Sequence, residues 1–168
     1  MKTVLVPTDF TPDATQIIDA LVLDQKAEKL NIIFVHAFKL SDSITDMLML
    51  SRRSRDYENV SDAFYQKLNQ YRAKYTNQLE GVSIEYFYGS TVAAFKNFIE
   101  AFEIDCVAYL KDYNFQKINK YSIEPKYLTE RCGCQTLELE NAALQIEENS
   151  EYLMDSKIHE NRLQTSNV

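Results

Sequence analysis

The sequence predicts an α/β protein built on an open, doubly wound parallel sheet, and three observations carry that expectation. Short apolar β-prone runs alternate with segments of helical periodicity along most of the chain. The first run, Thr3 to Val6, is β-prone and almost unbroken in apolarity, as in a strand covered by helices on both faces. It runs through Pro7 into a polar loop, Thr8, Asp9 and Phe10, and then into a helix start. Ligands of open α/β sheets sit outside the carboxyl ends of the strands, so this loop is the first place to look for function.

The elements follow in order. Thr11 is placed to cap a helix, with Pro12 at its first position and Asp13 beside the positive end of its dipole. Ala14, Ile17, Ile18, Leu21 and Val22 then give one buried helical stripe. Asn31 to Phe38 reads as a second strand, and a strand entered from that helix makes a right-handed βαβ unit the natural assembly. Ser41 to Arg55 is irregular. From Tyr57, the positions Val60, Phe64, Leu68, Tyr71, Tyr75 and Leu79 predict a long helix closed by Gly81 as a C-cap. Val82 to Tyr88 is a third strand, Gly89 and Ser90 a turn, and Val92, Phe95, Ile99 and Phe102 another helical stripe. Cys106 to Leu110 is the fourth strand, a last crossover helix is expected within Tyr113 to Arg131, and Thr136 to Leu139 is the fifth strand. In that last strand Leu137 and Leu139 alternate with Glu138 and Glu140, the pattern of a sheet edge.

A length of 168 residues suits one domain, here 1–140, followed by a polar appendage, 141–168, read as a surface helix or a disordered tail. The net charge of −7 disfavours non-specific binding to nucleic acid or to an anionic membrane. No run is long enough to span a bilayer, the amino terminus lacks the basic and apolar regions of a secretory signal, and three cysteines do not suggest a disulfide scaffold. A cytoplasmic location is therefore expected.

The opening VLVPTDFTPDA, the second strand IIFVHAF and the third strand ending in YGS before a helix resemble the universal stress protein family over roughly 1–140. The resemblance implies a Rossmann-like domain of the wider adenine nucleotide alpha hydrolase-like group, strand order 3-2-1-4-5, a homodimer, and ATP bound at the strand ends in many members. Thr8 and Asp9 occupy the strand-one motif that lies near ribose and adenine, and Ala37 falls where the backbone contacts adenine. The phosphate pattern G-x2-G-x9-G-[ST] would place its first two glycines on Leu110 and Tyr113 and its last Gly-Ser pair on Tyr121 and Ser122, so only the serine is kept. Glycines there let backbone amides approach phosphate with no Cβ in the way. The three glycines of this chain, Gly81, Gly89 and Gly133, all lie elsewhere.

The expected function is accordingly a non-enzymatic stress-response or regulatory protein that has lost ATP binding, needs no cofactor and acts through self-association and an unidentified protein partner. A module for a nucleoside or AMP-like ligand, with Thr8, Asp9, Ala37 and Ser122 as pocket candidates and Tyr113 and Tyr121 covering the ligand, is the alternative. A nucleotide-cleaving enzyme ranks third. Asp9 is read either as a ligand carboxylate or as a cap for nearby amides, the second being favoured. Cys132, Gly133 and Cys134 could supply soft metal ligands with Cys106 or His36, but C-x-C lacks the paired spacing of a zinc site and reads better as small residues entering a strand. His36 reads as a satisfied core histidine, and the arginines Arg52, Arg53 and Arg55 as a solvated cluster. No Ser, His and Asp arrangement can be drawn from spacing, so no catalytic residue is assigned.

Overall fold

The protein is described from a computed structural model that covers residues 1–26, 28–40 and 59–142. Strands β1 (Lys2–Pro7), β2 (Leu30–Phe38), β3 (Leu79–Tyr88), β4 (Cys106–Leu110) and β5 (Gln135–Leu139) form one five-stranded sheet in the order β3-β2-β1-β4-β5. Every pairing is parallel. This is the doubly wound order that the resemblance implies.

Period-two alternation sorts the buried side chains onto the two faces. Val4 and Val6 of β1 join Ile32 and Phe34 of β2 on one side, beneath α1 (Ile17–Asp24) and α2 (Asp62–Lys74), which contribute Ile17, Ile18, Leu21, Phe64 and Leu68. Leu5, Ile33, Val35 and Val107 face the other side, where α3 (Val92–Ala101) and α4 (Pro125–Thr129) supply Phe95 and Leu128. Both faces of β1 are thus dry, which is why Val4 to Val6 are apolar without interruption.

Four local expectations are corrected. The helix drawn from Tyr57 to Leu79 starts, within the described residues, at Asp62, capped by the Ser61 hydroxyl on the Phe64 amide, and it stops at Lys74. Leu79 already belongs to β3. Gly81 is no helix cap; it lies in β3 opposite Asn31, and a Cβ there would sit 2.6 Å from the Asn31 side-chain oxygen. Thr11 does precede the first helical turn, a 3-10 segment Pro12–Gln16 running into α1, but its side chain makes no capping bond and turns back to Asp9. The crossover helix expected within Tyr113 to Arg131 is reduced to the five residues of α4. Residues 111–124 form an irregular strap with turns at both ends.

Ser41 to Arg55 with its arginines, Tyr57 and the appendage from 143 onward lie outside the described residues. Among the described residues no helix is long and apolar enough to cross a membrane. Cys106, Cys132 and Cys134 are free thiols, and no group of three or more His, Cys, Asp or Glu there could hold a metal ion.

Candidate functional site

The strands β1 and β2 pair in register as far as Pro7, whereas β1 and β4 pair only at Val4 with Cys106 and Leu5 with Val107. Beyond those pairs the two strands splay apart at their carboxyl ends. This is the switch point of the sheet, where β1 has its sequence neighbour β2 on one side and β4 on the other. The strap passes over it.

Thr8, fully buried, continues the β1 backbone with its amide on Val35 O at 2.8 Å. Its hydroxyl accepts the Phe10 amide at 3.0 Å. Phe10 takes a left-handed backbone, φ 59°, an uncommon conformation for a bulky residue. Core contacts hold it there: its ring meets Phe64 edge-on at 5.5 Å and lies 5.4 Å from Tyr86. The loop after β1 is therefore shaped by side chains that turn inward.

Asp9 is 6% exposed, and all its donors come from its own chain. One carboxylate oxygen accepts the Thr11 amide at 3.1 Å, the Thr11 hydroxyl at 2.8 Å and the Tyr113 hydroxyl at 2.7 Å. The other accepts the Gln116 amide at 3.0 Å and lies 2.9 Å from the same Tyr113 hydroxyl. Burial opposes ionisation of this carboxyl, but the bonds from Gln116, Tyr113 and Thr11 outweigh it and hold the pKa below the usual value. Asp9 acts as the cap favoured from the sequence, extended to a strap more than a hundred residues away. Burial and the neighbouring carboxylate push the Tyr113 phenol upward, so it stays protonated and donates.

The strap is also zipped onto the end of β2. Lys39 N donates to Tyr121 O at 2.8 Å and Ile123 N to Ala37 O at 2.9 Å, with an antiparallel bridge between Phe38 and Ser122. The carbonyl of Ala37, the residue placed by sequence at an adenine-contacting position, is thereby taken by the chain itself.

His36 and Ser122 complete the arrangement. The imidazole is fully buried, with Nδ1 2.6 Å from Thr8 O and Nε2 2.9 Å from Ser122 Oγ. A carbonyl only accepts, so Nδ1 carries the proton; in the neutral ring Nε2 accepts from the serine hydroxyl. Ser122 Oγ in turn accepts the amides of Ile118 at 3.0 Å and Asn119 at 3.2 Å. Its proton and both lone pairs are used in these bonds. Burial lowers the His36 pKa, opposed by the Thr8 carbonyl and the Asp9 charge, so the ring is neutral at pH 7.

All four candidates from sequence, Thr8, Asp9, Ala37 and Ser122, are brought into one network by the strap. His36, read from the sequence as a satisfied core histidine, is buried with both ring nitrogens bonded and stands at the centre of this network, whereas Gln116 was missed, since its contribution is a backbone amide that no residue type signals. Tyr113 does cover the strand ends as expected of a ligand cover, but its hydroxyl closes on Asp9. Among the described residues no buried side-chain nitrogen or oxygen lacks a partner.

A cavity of about 330 Å³ remains in the splay between β1 and β4. Val6, Pro7, Ala108 and Leu110 line its apolar part, while Asp112, Glu124, Glu130 and Glu138 stand around it with Lys126 the single basic residue of the lining. Carboxylates in that number disfavour a polyphosphate there.

No family model matches the chain, and no curated protein matches it. Solved structures similar to it include a universal stress protein from Lactobacillus plantarum, at 14% identity and a TM-score of 0.49 over 82% of this chain and 97% of that one. A universal stress protein family protein from Arabidopsis thaliana with AMP bound is similar at 9% identity and a TM-score of 0.47, over 86% of this chain and 95% of that one. A universal stress protein in complex with cAMP shows 16% identity and a TM-score of 0.45, over 84% of this chain and 98% of that one.

Proposed function

We infer that this chain is a universal-stress-protein-like regulatory protein that does not hold ATP and works by contacts with other proteins rather than by catalysis. The saturation of Asp9 by Tyr113 and Gln116 is the observation that carries the reading. A nucleotide at the strand ends would need the Asp9 carboxylate and the Ala37 backbone, and both are consumed by the strap. The resemblance of the VPTDF start supplies the family, and Leu110 and Tyr113 in place of the phosphate-loop glycines supply the loss. Self-association as a homodimer, a cytoplasmic setting and an unidentified protein partner belong to the same reading; the three free thiols are in keeping with a reducing compartment. Titration calorimetry with ATP and magnesium tests it. No heat of binding is expected, and micromolar affinity would overturn it; light scattering tests the dimer.

The cavity between β1 and β4 favours a second reading, a small ligand without a triphosphate. Its volume is at the low end for small-molecule sites. Thermal stabilisation by adenosine or AMP, with none from ATP, would establish that reading over the first, because a ligand that binds only the native state raises its stability.

A further inference from the structure

We propose that His36 and Ser122 form a proton-operated latch: uptake of one proton at Nε2 of His36 releases residues 117–123 from the end of β2, while the sheet stays folded. Bond counting at one oxygen leads there. Ser122 Oγ donates its hydrogen to Nε2 and spends its lone pairs on the amides of Ile118 and Asn119. When Nε2 gains a proton it becomes a donor aimed at that same oxygen, 2.9 Å away. The hydroxyl hydrogen loses its acceptor, and no lone pair is left for the new N–H unless an amide departs. Nδ1 cannot relieve the conflict, since its hydrogen is held by Thr8 O at 2.6 Å.

The surroundings set the direction. From the loop after β1 the ring meets the Thr8 carbonyl, the Asp9 charge and the Phe10 ring at 5.9 Å. From β2 it meets Phe38 at 4.6 Å, β3 places Tyr86 beside it in register, and the strap stacks Phe115 on it at 5.4 Å. Asp9 and the carbonyl favour the imidazolium, yet burial dominates and the ring titrates below its usual 6.5. A histidine held neutral in the closed state supplies closing stability that is complete above about pH 6.5 and falls as the pH drops toward the lowered value.

Two fastenings hold the strap, and they part at different pH. The hold of Asp9 on Tyr113 and Gln116 starts to weaken only as the pH falls below the ordinary carboxyl value of 3.8, whereas that of His36 starts to weaken below 6.5. Mild acid therefore frees 117–123, with its bonds to Ala37 and Lys39, before 113–116. The device is a staged opening of the strand ends, independent of whether ATP binds.

Hydrogen exchange followed by NMR on the full chain, from neutral pH down to the lowest pH at which the β1 and β2 amides stay protected, tests the latch. Protection at Ile118, Asn119 and Ile123 is expected to fall by up to about tenfold per pH unit below about pH 6.5, down to the pH at which the His36 imidazole signal itself titrates, with Leu5 and Phe34 unchanged. H36Q is expected to remove the step, and S122A to abolish protection at Ile118 and Asn119 already at neutral pH. Should either variant fail to fold, the wild-type imidazole titration and exchange profile decide alone. Flat protection across the range, a step retained in H36Q, or simultaneous exposure of Leu5 and Phe34 would each overturn the proposal.

Discussion

The hydroxyl of Tyr113 lies 2.7 and 2.9 Å from the two carboxylate oxygens of Asp9, a residue 104 positions earlier in the chain. That contact ties the loop after β4 to the loop after β1 across the switch point. It places an aromatic side chain where the resemblance would put a glycine.

Tyr113→Phe removes the donor and keeps the ring. Loss of one hydrogen bond to a buried carboxylate is expected to cost about 1–3 kcal/mol at neutral pH. Asp9 has a lowered pKa, so its contribution is present above the usual carboxylate value and disappears as pH falls through the lowered one. The deficit of the variant should therefore shrink toward acid pH. Urea unfolding of both proteins at neutral pH and near pH 3 checks this.

Asp19 gathers three donors, two from the last turn of α2 and one from Tyr75 just past its end. Tyr71 OH lies 3.0 Å from one of its oxygens and Lys74 Nζ 2.7 Å from the other, which also accepts from the Tyr75 hydroxyl. Burial and this carboxylate raise the Tyr71 phenol to about 12. In Asp19→Asn the negative charge is gone, and ultraviolet titration is expected to find Tyr71 ionising at lower pH than in the wild type. The Lys74 pair is half-exposed and is worth little alone, so most of the expected loss, about 1–2 kcal/mol, comes from the tyrosines.

Gly81→Ala drives a Cβ to within 2.6 Å of Asn31 Oδ1, at the point where the β2–β3 register shifts between Leu30 and Asn31. That oxygen ends a half-exposed side chain that can turn aside, so a destabilisation below about 1 kcal/mol is expected. The double variant with Asn31→Ala removes the colliding oxygen and should regain most of it, a coupling that a denaturation cycle measures directly.

Glu103 sits just past the end of α3 with φ 50°, its amide on Glu100 O and the next amide on Ile99 O. This is the left-handed closing position at which glycine is favoured. Glu103→Gly is expected to raise stability by up to about 1 kcal/mol, read as a higher melting temperature with an unchanged circular dichroism spectrum.

The legible parts of the chain were those written in periodicity. The dry strands Val4–Val6 and Ile32–Val35, the stripe of Val92, Phe95 and Ile99, and the edge alternation of Leu137 and Glu138 each follow from which face meets the core. Gly81 was misread because a glycine after an apolar helical stripe looks the same whether it caps the helix or makes room for Asn31. The helix expected within Tyr113 to Arg131 is confined to Pro125–Thr129, and the strap before it went unread because its partners, Asp9 and the end of β2, are remote in sequence.

By itself, the sequence determined the class of fold: burial of β-prone runs between amphipathic helices leaves few other assemblies. It also determined that none of its three glycines, Gly81, Gly89 and Gly133, lies in the loop after β4. Only the tertiary structure decided what fills the place. The saturation of Asp9 depends on a backbone amide at Gln116 and a hydroxyl at Tyr113. The tautomer of His36 depends on a carbonyl at Thr8 and a serine at Ser122. Main-chain donors and acceptors are the same at every residue, so their pairing is invisible in a list of side chains and is fixed only when the chain closes on itself.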